Sequence, residues 1–260
     1  MLKSTLDFYV KSNLHVGLAC YSFIGLTNIF FKIPSQYSVQ FFGFFSTVFV
    51  YNGIKYGNIF VLKKDKMTTK LKFIFAIYLI SFLGSMYWFF ILNLPSLRLV
   101  FVFFILIFIY TIPVFSAKKN LRNYPRLKIY FVAFCWVLAT VFLPLLNANM
   151  FFEDHIICYS LHRFFFVFAM ILVFDLLDLK VDKLSLQTIP QSLGVFWSKI
   201  LGCIMVVFGF IFSLDYGFQS FTIATTLILF LLFASPKQPS LYSLFFVEAI
   251  PILWYFWMLK

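Results

Sequence analysis

Long apolar runs separated by short polar segments dominate this chain. Each run is about 18 residues long or more, the length that a helix needs to cross the ~30 Å hydrocarbon core of a bilayer. Backbone groups in lipid must be satisfied internally, and the runs show no alternation of apolar and polar residues, so we expect helices. The pattern predicts an all-α membrane protein, a bundle of about nine transmembrane helices. The runs lie at 13–31, 38–61, 71–93, 97–115, 128–147, 158–177, 193–213, 218–235 and 241–259.

The positions of lysine and arginine predict how this bundle is oriented. If the N-terminus is inside, all but four of the 21 basic residues fall on one side of the membrane. The four on the other side are Lys32, Arg98, Arg163 and Lys260. Basic residues accumulate on the cytoplasmic side of membrane proteins. We therefore expect a cytoplasmic N-terminus, an outward C-terminus and a location in the cell's inner (plasma) membrane.

Composition excludes several other classes of protein. With 63% hydrophobic residues, 12% charged residues and a mean hydropathy of +0.96, the chain does not fit a soluble globule. The net charge of +12 lies in loops between spans, so it does not indicate nucleic-acid binding. We expect residues 1–260 to form a single transmembrane domain with no cleavable signal peptide. The isolated cysteines indicate neither a metal site nor disulfides, and are Cys20, Cys135, Cys158 and Cys203.

Three of the nine acidic residues cluster in the segment FDLLDLKVDK, at the end of the sixth span. Asp175, Asp178 and Asp182 are spaced i, i+3 and i+7, which places them on one helical face. Carboxylates gathered beside lipid repel one another, so a cation is expected among them. Mg²⁺ prefers oxygen ligands and completes its shell with phosphate and water. The alternative is a solvated helix end paired with Lys180 and Lys183.

A basic segment follows Tyr110 between the fourth and fifth spans. Five cations in this segment could neutralise a phosphate group held by the carboxylates from the other side. The alternative is topogenic charge beside anionic lipid headgroups. These cations are Lys118, Lys119, Arg122, Arg126 and Lys128.

Polar residues also occur within the second and ninth spans. Asn52 and Lys55 lie near the end of the second span, at a depth where polar side chains are functional candidates. Asn52 could equally join two helices by hydrogen bonds. Glu248, in the ninth span, is interpreted as a helix-packing or interface residue rather than as a proton relay.

The segment FDLLDLKVDKLSLQTIPQSLG, at 174–194, resembles the second aspartate motif of the UbiA-type membrane prenyltransferases. In that family the motif is followed by a Thr-(Leu/Ile)-Pro and Leu-Gly tail, here Thr188 to Pro190 and Leu193-Gly194. The nine-helix layout and the basic loop after Tyr110 also match. The resemblance therefore covers nearly the whole chain.

The resemblance implies an activity and roles for particular residues. Members of this family bind an isoprenyl diphosphate through Mg²⁺, ionise it, and transfer the prenyl group to a lipophilic acceptor. For this chain the acceptor is expected to be aromatic and similar to a quinone precursor. The implied metal ligands are Asp175, Asp178 and Asp182; the implied catalytic residues are Tyr110, Asp175 and Asp178; and the implied diphosphate-binding residues are Asn52, Lys55, Lys118, Lys119 and Arg122.

The first aspartate motif departs from the family pattern. It usually reads Asn-Asp-x-x-Asp, whereas this chain keeps Asn52 and has Gly53 and Tyr56 at the aspartate positions. Two lost carboxylates and the added Lys55 make the site more positive by about three charges at neutral pH. Either one Mg²⁺ and Lys55 act together, or the chain is a catalytically degenerate protein that binds lipid or diphosphate. A small transporter is a third hypothesis, disfavoured because no inverted repeat is evident.

Overall fold

A computed structural model describes residues 2–34, 36–62, 67–111, 127–150, 155–182, 186–212 and 217–260. Its α-helices in chain order are α1 (Leu2–Lys11), α2 (Leu14–Phe30), α3 (Tyr37–Leu62), α4 (Thr69–Phe89), α5 (Leu94–Thr111), α6 (Leu127–Val137), α7 (Leu143–Asn147), α8 (Ile156–Leu177), α9 (Ile189–Ile211), α10 (Gly217–Phe233) and α11 (Ala249–Met258). Irregular turns connect some of them: a π-helical turn, Leu138–Phe142, joins α6 to α7; a 3₁₀ turn, Asp178–Lys180, follows α8; and a second π-helical segment, Tyr242–Val247, precedes α11.

The helices confirm the prediction of an all-α membrane protein. Within the described ranges no strand occurs, and every predicted span contains a helix. In the part of the chain that the structure describes, five helices are long and apolar enough to cross a membrane, and three shorter apolar helices lie at predicted spans. The chain is thus a multi-pass integral membrane protein, and the orientation of its ends stays a prediction. The five long helical segments are Thr69–Phe89, Leu94–Thr111, Leu127–Asn147, Ile156–Lys180 and Ile189–Ile211.

The outer helices expose large apolar side chains that a soluble protein would bury. In α4 the buried residues are Ile74, Ser81 and Ser85, while large apolar side chains such as Leu83 and Tyr87 are exposed. Small residues allow close approach of neighbouring helices, and lipid solvates the apolar surface at no cost. By contrast α8 is buried along much of its length, which makes it an inner helix.

Neighbouring helices contact one another in a series. Its order is α4, α3, α2, α11, α10, α9, α8 and α6, and then, through the π-helical turn Leu138–Phe142, α7 and α5. The two ends of the series, α4 and α5, are consecutive in the chain. Because α2 also touches the π-helical turn at Leu138–Phe142, it contacts both halves of the series.

Arg163 of α8 joins three elements inside this bundle. Its side chain is 1% exposed, and Nη1 donates to the Phe23 carbonyl (3.0 Å) and to Thr140 Oγ1 (3.1 Å). Nη2 donates to the Tyr159 hydroxyl (2.6 Å), and the guanidinium lies 4.1 Å from the centre of the Phe23 ring. Arg163 was expected among the four basic residues on the outer side of the membrane, with the net charge in loops. The structure shows that this charge lies within the bundle and not in a loop, because the residue is buried and joins α2, the π-helical turn and α8.

Gly25 permits the contact between α2 and α11. A Cβ atom at this position would lie 2.6 Å from Tyr255 Cζ and 2.8 Å from Gln40 Nε2. Both distances are well inside van der Waals contact. Any side chain at Gly25 would therefore displace the Tyr255 ring of α11 and the Gln40 amide of α3.

We expect Gly25→Ala to lower the midpoint of thermal unfolding in detergent, because overpacking a tight contact costs about 1–3 kcal/mol. Gly57→Ala is the matched control, since a Cβ there has no neighbour within 4 Å and alanine favours the helix. The midpoint should stay the same or rise in the control. Equal losses in both variants would contradict the account of helix packing.

Candidate active site

The aspartate cluster lies where α8 ends and the chain turns. Asp175 is in the last turn of α8 and is 3% exposed, whereas Asp178 is exposed at the start of the 3₁₀ turn. The backbone N–H groups of Val181 and Asp182 both donate to the Asp178 carbonyl at 2.8 Å. This turn keeps Asp182 close enough to interact electrostatically with Asp175 and Asp178. The three carboxylates therefore lie near one another, but Asp182 follows the turn and does not lie on the helical face that the spacing predicted, because α8 ends at Leu177.

Lys128, at the start of α6, pairs with the cluster. Its Nζ atom lies 3.4 Å from Asp175 Oδ1, and the two side chains are 34% and 4% exposed. The Lys128 ammonium also interacts electrostatically with Asp182 and Tyr110. Lys128 belongs to the basic segment noted in the sequence but was not among the predicted site residues. Its position results from the packing of α6 against α8.

Tyr110, at the end of α5, lies beside this ion pair. Its ring stacks on Phe131 of α6 with the centroids 5.3 Å apart and an interplanar angle of 7°. Phe131 is three residues after Lys128, so both lie on neighbouring positions of one helical face. The structure thus brings Tyr110, Lys128 and the aspartates together. Lys118, Lys119 and Arg122 lie outside the described residues, and their roles stay predictions.

The Thr-Ile-Pro and Leu-Gly tail has a structural explanation. Thr188 is the N-cap residue of α9, and its backbone N–H donates to Gln191 Oε1 at 3.0 Å. The Gln191 amide nitrogen in turn donates to the Asp182 carbonyl at 3.2 Å, which fixes the segment that carries the third aspartate. Gly194 has a φ of 78°, a left-handed conformation that favours glycine. The tail therefore positions Asp182 relative to α9.

The donor chemistry of the cluster fits a hard divalent cation such as Mg²⁺. Asp182 Oδ2 is buried without a hydrogen-bond partner in the described part of the chain, and a bound cation would satisfy it. Across the same residues, no three histidine, cysteine, aspartate or glutamate side chains are arranged to hold a metal as they stand. The metal-binding roles of Asp175, Asp178 and Asp182 stay predictions.

Asn52 is completely buried in a contact between helices. Its Oδ1 accepts from Asn13 Nδ2 at 2.8 Å, and its Nδ2 donates to the Ser12 carbonyl at 2.9 Å. Asn13 has a φ of 59° and forms the junction between α1 and α2. Of the two alternatives for Asn52, the structure favours the interhelical contact over direct phosphate binding.

Lys55 lies apart from the aspartate cluster. Its Nζ atom is 5.3 Å from the centre of the Tyr56 ring, and its electrostatic partners are Glu248, Lys11 and Asp7. The residues at the two lost aspartate positions have packing roles. Tyr56 donates to the Lys11 carbonyl at 3.0 Å, and Gly53 faces Tyr78 of α4. The C-terminal half of α3 therefore holds α1 in place.

Comparison with known proteins identifies this architecture. No protein-family model matches the sequence, and no curated protein matches it. Solved structures do match: a UbiA homolog from Archaeoglobus fulgidus bound to GPP and Mg²⁺ is 12% identical, with 97% of this chain and 98% of that chain covered and a TM-score of 0.61. The chain has the fold of the UbiA-type prenyltransferases.

Two further structures agree with this assignment. A digeranylgeranylglyceryl phosphate synthase is 15% identical, with 97% of each chain covered and a TM-score of 0.58. The Archaeoglobus fulgidus UbiA homolog bound to Cd²⁺ is 14% identical, with 95% of this chain and 96% of that chain covered and a TM-score of 0.57. The resemblance noted in the sequence is confirmed at the level of the fold.

We expect Lys128→Met to lower the free energy of unfolding by about 1–3 kcal/mol, because it leaves the Asp175 carboxylate buried without its cation. Adding Asp175→Asn should restore most of the loss, since the uncompensated charge is then removed. Thermal unfolding in detergent measures both effects.

Lys11→Met is the matched control for this experiment. It breaks the ion pair between Lys11 and Asp7, which is 2.9 Å long but has both side chains more than a third exposed. Exposed pairs contribute about 0–1 kcal/mol. A loss in Lys11→Met as large as in Lys128→Met would contradict the assignment of Lys128 and Asp175 as a buried pair.

Proposed function

We propose that this protein is a membrane prenyltransferase that moves an isoprenyl group from an isoprenyl diphosphate to a lipophilic acceptor. The observation that carries the proposal is the joining of Lys128 to the aspartate cluster beside Tyr110, within a UbiA-type fold. A solved structure of that fold holds GPP and Mg²⁺, which supports an isoprenyl diphosphate as the ligand. An aromatic acceptor similar to a quinone precursor is part of the proposal.

Each residue of the cluster has a separate task in this mechanism. Lys128 donates hydrogen bonds to diphosphate oxygens and compensates the charge that the leaving group gains. Asp175 holds the Lys128 ammonium in place from the buried side. Mg²⁺ held by Asp175, Asp178 and Asp182 would supply further positive charge to the leaving group. Tyr110 covers the allylic carbon with its ring.

The bond changes balance without a further reactant. The bond between the allylic carbon and the diphosphate oxygen breaks, and its electron pair stays on the diphosphate. The allylic carbon then bonds to the acceptor, which releases a proton. Apolar side chains of the bundle accommodate the isoprenoid tail, and we assign Lys118, Lys119 and Arg122 to the opposite side of the diphosphate.

A second candidate is a catalytically degenerate protein of this fold that binds diphosphate or lipid without turnover. The packing of Tyr56 against α1 and of Gly53 against α4 favours it, because these two positions no longer offer carboxylates to a second metal. The two candidates agree on binding and differ in turnover. Release of inorganic diphosphate in the presence of Mg²⁺ distinguishes them.

We expect Asp178→Ala to weaken Mg²⁺-dependent binding of geranylgeranyl diphosphate by about tenfold or more, because a metal ligand is lost. Asp178 is exposed, so the fold should survive the substitution. Titration of purified protein in nanodiscs, with and without Mg²⁺, measures the affinity.

Asp7→Ala is the matched control, because Asp7 lies on α1 and interacts with Lys11 at the surface. It should bind the diphosphate like the native chain. If Asp178→Ala binds as tightly as Asp7→Ala, or if the native chain binds equally well without Mg²⁺, the proposed metal site is wrong.

A further inference from the structure

A groove of about 480 Å³ runs along the outer face of α9, between Phe196 and Ile211. Its α9 residues are spaced three and four positions apart, which places them on one helical face, and Leu232 of α10 borders it. The buried residues of α9, such as Gly202 and Gly209, lie on other faces of the helix. The groove therefore opens away from the bundle, and its volume is typical of a ligand pocket, about 300–1,000 Å³.

The groove has the shape of a hydrocarbon chain. From Phe196 to Ile211 the helix rises about 22 Å, more than one leaflet, which is about half of the ~30 Å hydrocarbon core. Ile200 and Ile204 are β-branched, so their side chains are held in one rotamer and the walls are preformed. Cys203 has the smallest side chain of the lining and lies near the middle of the groove. An extended acyl chain therefore fits along the face of α9.

Lys199 supplies the charge of the groove, near one end of it. Its Nζ atom donates to the Leu232 carbonyl at 2.7 Å, in the last turn of α10, which holds the ammonium at the groove. An ammonium has three N–H groups, so two remain for a ligand. In the part of the chain that the structure describes, no carboxylate oxygen lies within 4.0 Å of this Nζ atom. The charge is therefore available to an anion that enters the groove.

Aromatic residues beside Lys199 indicate its depth in the membrane. Phe196 and Trp197 are 68% and 61% exposed, and exposed tryptophan collects at the level of the lipid headgroups. The regular part of α9 begins after Gly194, which has a φ of 78°, so Lys199 is about one turn inside it. A lysine at this depth extends its ammonium to the headgroups while its stem stays in hydrocarbon. The cation thus lies at phosphate level, and the apolar groove continues into the hydrocarbon.

We propose that this groove is a binding site for an anionic phospholipid, with one acyl chain along α9 and the phosphate group at Lys199. The two remaining N–H groups of the ammonium match phosphate oxygens, which form strong charge-assisted hydrogen bonds. A zwitterionic lipid suits the site less well, because its headgroup brings a second cation close to Lys199. The site lies on the outer face of α9 and is independent of the proposed prenyl transfer.

Native mass spectrometry tests this site, with the full chain released from nanodiscs of equal parts phosphatidylglycerol and phosphatidylcholine that carry the same acyl chains. The native chain should retain phosphatidylglycerol over phosphatidylcholine by about fivefold, the preference expected for one lysine near anionic lipid. Lys199→Gln keeps a donor for the Leu232 carbonyl but removes the charge, so it should retain both lipids equally. Lys199→Arg should keep the preference because the charge remains.

A second variant tests the groove without changing its charge. Cys203→Phe fills the middle of the groove, so retention of phosphatidylglycerol should fall to that of phosphatidylcholine even though Lys199 is present. The midpoint of thermal unfolding in detergent, compared with that of the native chain, shows that each variant is folded.

Lys237→Gln is the matched control, because Lys237 is exposed in the turn after α10 and does not line the groove. It should keep the preference for phosphatidylglycerol. Equal retention of the two lipids by the native chain, or a preference that persists in both Lys199→Gln and Cys203→Phe, would overturn the site. An equal loss in Lys237→Gln and Lys199→Gln would also overturn it, since the preference would then belong to the basic surface as a whole.

Discussion

Hydrocarbon offers no hydrogen-bond partner, and this constraint decides where the polar side chains of the bundle lie. The guanidinium of Arg163 is enclosed by a carbonyl, hydroxyl groups and an aromatic ring from three elements. The side-chain amide of Asn52 is likewise paired, through hydrogen bonds with the Asn13 side chain and the Ser12 carbonyl. These contacts set the relative positions of α2, α3 and α8, because a shift of one helix would leave a polar group unpaired in an apolar surrounding.

The same constraint makes the site recognisable. Lys128 and Asp175 share one ion pair at the end of the bundle, and Asp182 Oδ2 is buried without a hydrogen-bond partner in the described part of the chain. Groups that a membrane protein leaves incompletely paired are costly unless a ligand completes them. We infer that a diphosphate at the aspartates, beside Tyr110, completes this cluster.

Much of the fold could be predicted because hydrophobic length is a local property of the sequence. The spans and the resemblance carried by residues 174–194 are both readable without tertiary contacts. The pairing of Lys128 with Asp175 could not be predicted, because the two residues are 47 positions apart and nothing in the basic segment distinguishes Lys128 from its neighbours. The role of Arg163 was missed for the same reason, because whether a charge within a span faces lipid or protein depends on the neighbouring helices.

The central claim is that a diphosphate binds between Lys128 and the three aspartates. The most direct test is an experimental structure of the protein in nanodiscs with Mg²⁺ and geranylgeranyl thiolodiphosphate. The account predicts the diphosphate within hydrogen-bonding distance of Lys128 Nζ, with the metal between it and the carboxylates and the isoprenoid chain passing Tyr110. A diphosphate bound away from α6 and α8, with the pair between Lys128 and Asp175 undisturbed, would contradict it.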